Sequence, residues 1–337
     1  MKIKFLFLLV LTISFFYGCS KKRNEVVVYT SVDQVFAEPV LQMFEKKTGI
    51  KVKPVYDTEE TKSTGVLNRL IAEKNNPQCD VFWSGDPVRS IILKNKEITT
   101  GYLPGNAKNI NAIFKDEKSH WIGFSSRVRV IIYNKNLVKQ NEAPNSIYDL
   151  LNPKWKGKCA IANPLFGTTS FHIAALFTEL GDDKANAFLN GLKQNNVLIA
   201  TSNGDVKKRV ADGEIAFGLV DTDDAIVAMR EGKPVGMIFP DQNEMGTLIV
   251  PNTISLITSS PNSENGKKLI DYLVSAEVEM QLAKTAAQIP TIKTEYQIPE
   301  MPDIQSINDI KSMNVDYEKA AAKLEAIQPL LKKWLEQ

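Results

Sequence analysis

The stretch Val26-Val27-Val28-Tyr29-Thr30-Ser31-Val32-Asp33-Gln34-Val35-Phe36-Ala37-Glu38-Pro39-Val40-Leu41-Gln42-Met43-Phe44-Glu45-Lys46-Lys47-Thr48-Gly49-Ile50-Lys51-Val52-Lys53-Pro54-Val55-Tyr56 decides the fold class. Val26–Ser31 is β-branched and strand-like. Val35–Thr48 places apolar residues at helical spacing and stops at Gly49, a residue suited to a helix end. Lys51–Tyr56 then alternates like a strand. The pattern continues outward: Thr61–Lys74 is amphipathic with Val66, Leu67, Leu70 and Ile71 on one face, Cys79–Trp83 is a buried strand run, and Pro87–Lys96 is the next helix. Such βαβαβ order predicts a mainly parallel sheet covered by helices on both faces.

The alternation restarts at Cys159–Ala162 and runs through Val197–Thr201, Ile215–Val220 and Val235–Phe239, so a second α/β lobe is expected. Two long β-prone segments, Trp121–Asn134 and Gly246–Ile257 (broken only at Pro251-Asn252), look like crossings between the lobes. A helical stretch over Asn265–Ala286, a proline-punctuated run from Pro290 to Pro302 and a final amphipathic helix follow. That helix carries Tyr317, Ala320, Leu324, Ile327, Leu331 and Trp334 on one stripe, which suits packing back on the body. A chain that leaves one lobe, builds another and returns describes a clamshell with its ligand in the cleft. The expected division is residues 19–124 for lobe 1, 125–250 for lobe 2, and 251–337 for the return with its C-terminal helices.

Ahead of this body, Lys2 and Lys4 precede an apolar run from Phe5 to Phe16, followed by Tyr17-Gly18-Cys19. The run is short for a membrane span and fits a secretory signal over residues 1–18. A cysteine directly after Gly18 makes it a lipoprotein signal, with Cys19 as the lipidation site; an ordinary secretory signal with an incidental cysteine is the alternative. Either way the mature chain is expected outside the cytoplasm, at the periplasm or cell surface, lipid-anchored in the first case.

With 41 basic and 39 acidic side chains among 337 residues, charge is nearly balanced, which argues against nucleic acid and against a polybasic membrane patch. Cys79 and Cys159 each sit in an apolar strand-like segment. The compartment permits a disulfide, but the pair reads as buried free thiols. Only His120 and His172 are present, and no HExxH, GxSxG or Walker loop appears, so an enzyme is not expected. A carboxylate–metal hydrolase is a remote alternative, and a purely adhesive or structural lipoprotein is another.

At this point the residues resemble a known family. Val27–Ser31, Phe44–Val52, Asp80-Val81-Phe82-Trp83, Ser125–Asn134, Asp149–Lys158 and Asp212–Val220 closely resemble, in order, segments of the ferric-ion-binding proteins. These are extracytoplasmic solute receptors of ABC importers with a two-lobe periplasmic-binding-protein fold. The resemblance implies a monomer that captures a solute and delivers it to a membrane permease with its ATPase, without chemistry on the solute and with no cofactor beyond the transported metal ion or oxyanion.

The sequence also departs from these relatives. The adjacent tyrosines that usually hold iron align with Asp223-Asp224, the N-terminal histidine or basic position falls near Asp33, and the glutamate ligand of some members falls near Gly85, with Asp86 beside it. The expected ligand is a metal ion of iron type with an oxyanion, and Asp223 and Asp224 are the candidate metal ligands. In one reading Asp33, Asp86, Asp223 and Asp224, at strand C-termini, form an oxygen cage for a hard cation. In the other they accept hydrogen bonds from hydroxyl or amino groups of an anionic, phosphorylated or phosphonate-like organic solute. Helix capping competes for each of them, and is the preferred reading for Asp221.

Anion chemistry is expected from two loops at predicted helix starts, Gly167-Thr168-Thr169-Ser170 and Ser202-Asn203-Gly204. A glycine with hydroxyl residues there presents backbone N–H groups and side-chain donors to negative charge. The resemblance implies that these loops hold the anion that accompanies iron. Arg127, on the first crossing strand, could add a bidentate contact or simply pair at the surface.

Overall fold

The computed structural model describes residues 24–58, 62–286, 288–291 and 309–336. The signal segment 1–18, the lipidation site Cys19 and most of the Pro290–Pro302 run lie outside the described residues. The first lobe opens with β1 (Glu25–Thr30), α1 (Gln34–Thr48), β2 (Lys51–Tyr56), α2 (Thr64–Ala72), β3 (Val81–Ser84), α3 (Pro87–Asn95) and the short β4 (Thr99–Thr100). The long β5 (Ile122–Asn134) leads to β6 (Cys159–Ala162), α4 (Gly167–Leu180), α5 (Asp182–Gln194), β7 (Leu198–Ala200), α6 (Asn203–Ala211), β8 (Phe217–Asp221), α7 (Thr222–Arg230) and β9 (Val235–Ile238). The chain returns through β10 (Ile249–Ile257), α8 (Ser263–Leu273) and α9 (Ala276–Ala286), and ends in α10 (Tyr317–Glu336).

The strand order is β2-β1-β3-β10-β5-β8-β6-β7, with β4 added on β10 and β9 on β5. Within each lobe the α/β strands pair in parallel, β1 with β2 and β3, and β6 with β7 and β8. The antiparallel pairs all involve β5 or β10. β5 serves both lobes: Ile122–Val128 lie against β10, and Arg129–Asn134 against β8 and β9.

Where the two long strands cross, their regularity fails. Their register shifts at Pro251/Asn252, and Ser125 adopts φ 47°, a left-handed conformation that costs a residue with a Cβ. A buried polar staple holds this strain. Glu279, only 1% exposed, accepts the Ser125 N–H at 2.6 Å, and Asn252 Nδ2 donates to the Ser125 carbonyl at 2.5 Å. Gln288 Oε1 accepts from Ser125 Oγ at 2.9 Å and from Asn252 Nδ2 at 2.7 Å.

The helical stretch expected over Asn265–Ala286 is two helices, α8 and α9, with Val274-Ser275 between them. A β-branched residue and a serine weaken the helix there, and Ser275 Oγ accepts the Val278 N–H at 3.4 Å to start the second helix. α10 buries Ala320, Leu324, Ile327, Leu331 and Trp334, and packs on both α3 and α4, so it lies across the back of the two lobes. Its last anchor is Trp334 Nε1, which donates to the Leu189 carbonyl at 3.2 Å.

Candidate ligand site between the lobes

The C-terminal ends of β1, β3, β6, β7 and β8 point to one cleft, where the helices that follow begin. Its inner part is a cavity of about 50 Å³. Asp33, Lys62, Gly204, Asp223 and Asp224 line both this cavity and a wider vestibule of about 480 Å³ outside it.

α4 supplies the first wall. Gly167, Thr168 and Thr169 are not a loop before the helix, as the sequence suggested, but its first turn. Gly167 takes φ 54°, which glycine tolerates and threonine would not. The N-cap position is Phe166, which makes no side-chain cap bond. The first turn of a helix has no internal acceptors for its N–H groups. The Gly167 N–H finds the Lys62 carbonyl at 3.0 Å across the lobe boundary, and Ser170 N–H bonds Phe166 at 3.1 Å. Among the described residues nothing accepts from the amides of Thr168 and Thr169, which line the cavity. α6 starts on the same wall, where Ser202 caps the Asp205 N–H at 3.1 Å and Asn203 and Gly204 line the cavity. Two helix N-termini thus bring positive dipole ends to one small space.

Behind this wall lies a buried charge cluster. Residues two apart on a strand share a face, so Arg127 and Arg129 of β5 both turn inward. Arg129, fully buried, faces Asp221 directly across the β5–β8 ladder, and its Nη1 donates to Asp221 Oδ1 at 2.8 Å. Arg127 Nη1 donates to Asp221 Oδ2 at 3.2 Å, and Thr168 Oγ1 donates to the same oxygen at 2.9 Å. Burial alone would raise the Asp221 carboxyl, but Arg129 and Arg127 together hold it below the ordinary carboxylate range. Asp221, expected as a helix cap, therefore makes no cap bond and serves as the counter-ion of two arginines. Asn203 joins the cluster, accepting from Arg129 at 3.2 Å and donating to Thr168 Oγ1 at 3.0 Å.

Arg127 also crosses to the first lobe, where its Nη2 donates to the Gly85 carbonyl. A Cβ on Gly85 would lie 3.0 Å from that nitrogen, so the guanidinium fills the room that a side chain at position 85 would need.

The acidic wall is less neutralised. Asp33 pairs with Lys62, and Asp224 with Lys207 at 3.3 Å. Asp223, 7% exposed, uses one oxygen to accept the Asp224 N–H at 3.0 Å; among the described residues no donor reaches its other oxygen. Burial pushes its carboxyl up to about 8; Arg127 opposes this, and Asp224, Asp221 and Asp33 add to it.

Of the residues expected here, Asp33, Arg127, Thr168, Thr169, Ser202, Asn203, Asp223 and Asp224 line the cavity. Asp86 and Ser170 do not. Asp86 is the N-cap of α3, accepting the Arg89 N–H at 3.2 Å and pairing with Arg89 Nη1 at 3.1 Å, and Ser170 Oγ accepts from Arg89 Nη2 at 2.6 Å. The four-carboxylate cage is not formed, because Asp86 faces Arg89 instead. Among the described residues no group of three His, Cys, Asp or Glu side chains comes together to hold a metal, and no tyrosine lines the cavity. His172 is buried behind Thr169; burial, then Arg129, lowers it to about 3, so it stays neutral. The sequence reading missed Arg129, Lys62 and Lys207. Only Arg129 had a signal, the Arg-Val-Arg alternation on a crossing strand.

Two lobes joined by crossing strands, with a polar cleft at the strand ends, are the architecture of a solute-binding receptor. The chain belongs to the bacterial extracellular solute-binding protein family, whose sequence profile matches residues 40–310. It is 26% identical over 313 residues to the Iron uptake protein A1 of Synechocystis sp., covering 88% of this chain and 83% of that protein. It is 28% identical over 300 residues to a putative 2-aminoethylphosphonate-binding periplasmic protein of Salmonella typhimurium, covering 86% and 80%. The structure of iron-bound HitA from Pseudomonas aeruginosa superposes with a TM-score of 0.82 over 91% of this chain and 99% of that one, at 19% identity, a likeness of fold. The chain is thus a solute-binding protein related to ferric-iron-binding receptors.

Proposed function

We propose that this chain is the extracytoplasmic receptor of an ABC importer, anchored through Cys19, and that its ligand is a small organic solute. One end of that solute is a phosphate- or phosphonate-type anion, and the other carries an ammonium or hydroxyl group. The observation that carries this reading is the uncapped first turn of α4, whose Thr168 and Thr169 amides lie unsatisfied at the cavity beside Arg127. An oxyanion would satisfy both amides and take a contact from the guanidinium. The free oxygen of Asp223, at the junction of cavity and vestibule, suits the cationic or hydroxylated end. The similarity to a putative 2-aminoethylphosphonate-binding protein agrees with such a ligand.

An iron-type metal ion with its oxyanion is the second reading. It is favoured by Asp33, Asp223 and Asp224 all lining the cavity, though they do not gather into a three-carboxylate cluster, and by the similarity to an iron uptake protein. The two readings separate in one experiment: calorimetry with 2-aminoethylphosphonate, inorganic phosphate and ferric citrate, with and without a chelator. The organic anion is expected to bind with the chelator present. Binding by ferric citrate alone, abolished by the chelator, would establish the metal reading instead.

A further inference from the structure

Asp86 and Ser170, which the sequence offered to the ligand, are both engaged by a third residue. Arg89 sits in the first turn of α3, on the first lobe, and its side chain is 1% exposed. Asp86 fixes it on that lobe, capping its N–H and pairing with Nη1 at 3.1 Å. The guanidinium also reaches the second lobe. Nη2 donates to Ser170 Oγ at 2.6 Å and Nη1 to the Gly167 carbonyl at 3.4 Å, while Ser170 Oγ itself donates to that carbonyl at 2.7 Å. Gly167 and Ser170 flank Thr168 and Thr169 in one helical turn.

A cation beside a helix N-terminus opposes the helix dipole. The Asp86 carboxylate, paired with Nη1, offsets that in part. An anion held by the amides of Thr168 and Thr169 reverses the sign of the local field, and the same arginine then stabilises the contact between lobes. A buried ion pair gives little stability that apolar packing would not. What it does give is a fixed orientation, since the planar fork reads two acceptors on one helical turn.

We propose that Arg89 is a positioning residue: anchored by Asp86, it holds the ligand-facing turn of α4 against the opposite lobe, so that an anion in the cleft and closure of the lobes favour one another. The coupling to ligand rests on the reading of the α4 turn as the anion site; the tie between lobes does not.

The test separates the two. Hydrogen exchange in the ligand-free protein follows the Gly167 amide, which bonds to the Lys62 carbonyl across the boundary at 3.0 Å. Ser170→Ala removes the acceptor while leaving the Asp86–Arg89 pair intact, and Arg89→Gln removes the charge. Both are expected to speed exchange at Gly167 while leaving the later turns of α4 unchanged; wild-type protection in Ser170→Ala would sink the tie even if Arg89→Gln failed to fold. Stopped-flow release of 2-aminoethylphosphonate tests the coupling. Ser170→Ala should release it roughly tenfold to a hundredfold faster, the loss of one charge-assisted hydrogen bond, with association little changed. Faster exchange with unaltered release would refute the coupling. If the wild type binds no anionic probe at all, the proposed ligand class fails and the coupling with it, while Gly167 exchange still decides the tie.

Discussion

Asp223 holds its proton to about pH 8 in the folded protein, whereas the same group in an unfolded chain gives it up near 4. Between those values the folded state binds the extra proton, so the stabilising contribution is complete below about pH 4 and is lost as pH rises through 8. Urea titrations of ligand-free protein should therefore show stability falling over that window, and Asp223→Asn should flatten the fall; an unchanged slope would mean that Asp223 ionises like an exposed carboxyl. Arg129 makes the opposite kind of test. It and Arg127 share the buried Asp221 carboxylate, so Asp221→Asn takes the counter-ion from two buried guanidiniums at once and should cost about 3–5 kcal/mol in urea unfolding. Arg129→Gln should cost less, because Arg127 still pairs with that carboxylate at 3.2 Å. These residues mark what the sequence could and could not tell. Residue types at the starts of α4, α6 and α7 were legible because hydroxyls, amides and acids cluster just after strand-like runs. Their partners were not: Asp86 and Ser170 look like ligand groups until Arg89 takes them, and Lys62 and Lys207 enter the cleft from surfaces no local pattern distinguishes.

At the level of elements, periodicity located most strands and helices to within a few residues, because alternation and helical spacing are local. The start of α4 was misread since Gly167 at a helix's first position looks like loop, and α8–α9 was read as one helix since neither glycine nor proline marks the break at Val274-Ser275. The crossing region depends on distant residues. Glu279 and Gln288 come from the far end of the chain to hold Ser125 and Asn252, a staple invisible to any window of sequence. Glu279 also accepts from the Thr291 amide and hydroxyl, at 3.1 Å and 2.7 Å. Glu279→Gln would turn one acceptor into a donor facing donors, at a cost of about 1–3 kcal/mol. Thermal melts should register that loss, and limited proteolysis should find new cleavage near Ser125; a melt within error of wild type would show that the strained crossing holds without Glu279.

For the whole molecule, the two-lobe plan was legible because βαβ units restrict how a chain can leave a sheet and return. The position of α10 was not, since a stripe says that a face is buried without saying against what. The proposed lipidation at Cys19 is tested on the whole protein: Cys19→Ala should shift it from the membrane fraction to the soluble one, and continued attachment would rule out lipidation at Cys19. Cys79, beside β3, and Cys159, in β6, are both free, both fully buried, and belong to different lobes. Burial raises each thiol and keeps it inert until its own surroundings open. The molecule therefore carries one chemical clock in each half. Alkylation timed separately at the two positions, in rising urea, measures how often each lobe unfolds. Equal rates would mean that β5, β10 and α10 weld the halves into one cooperative unit; a faster Cys159 would mean that the second lobe melts while the first, into which both ends of the chain's α/β core return, still stands.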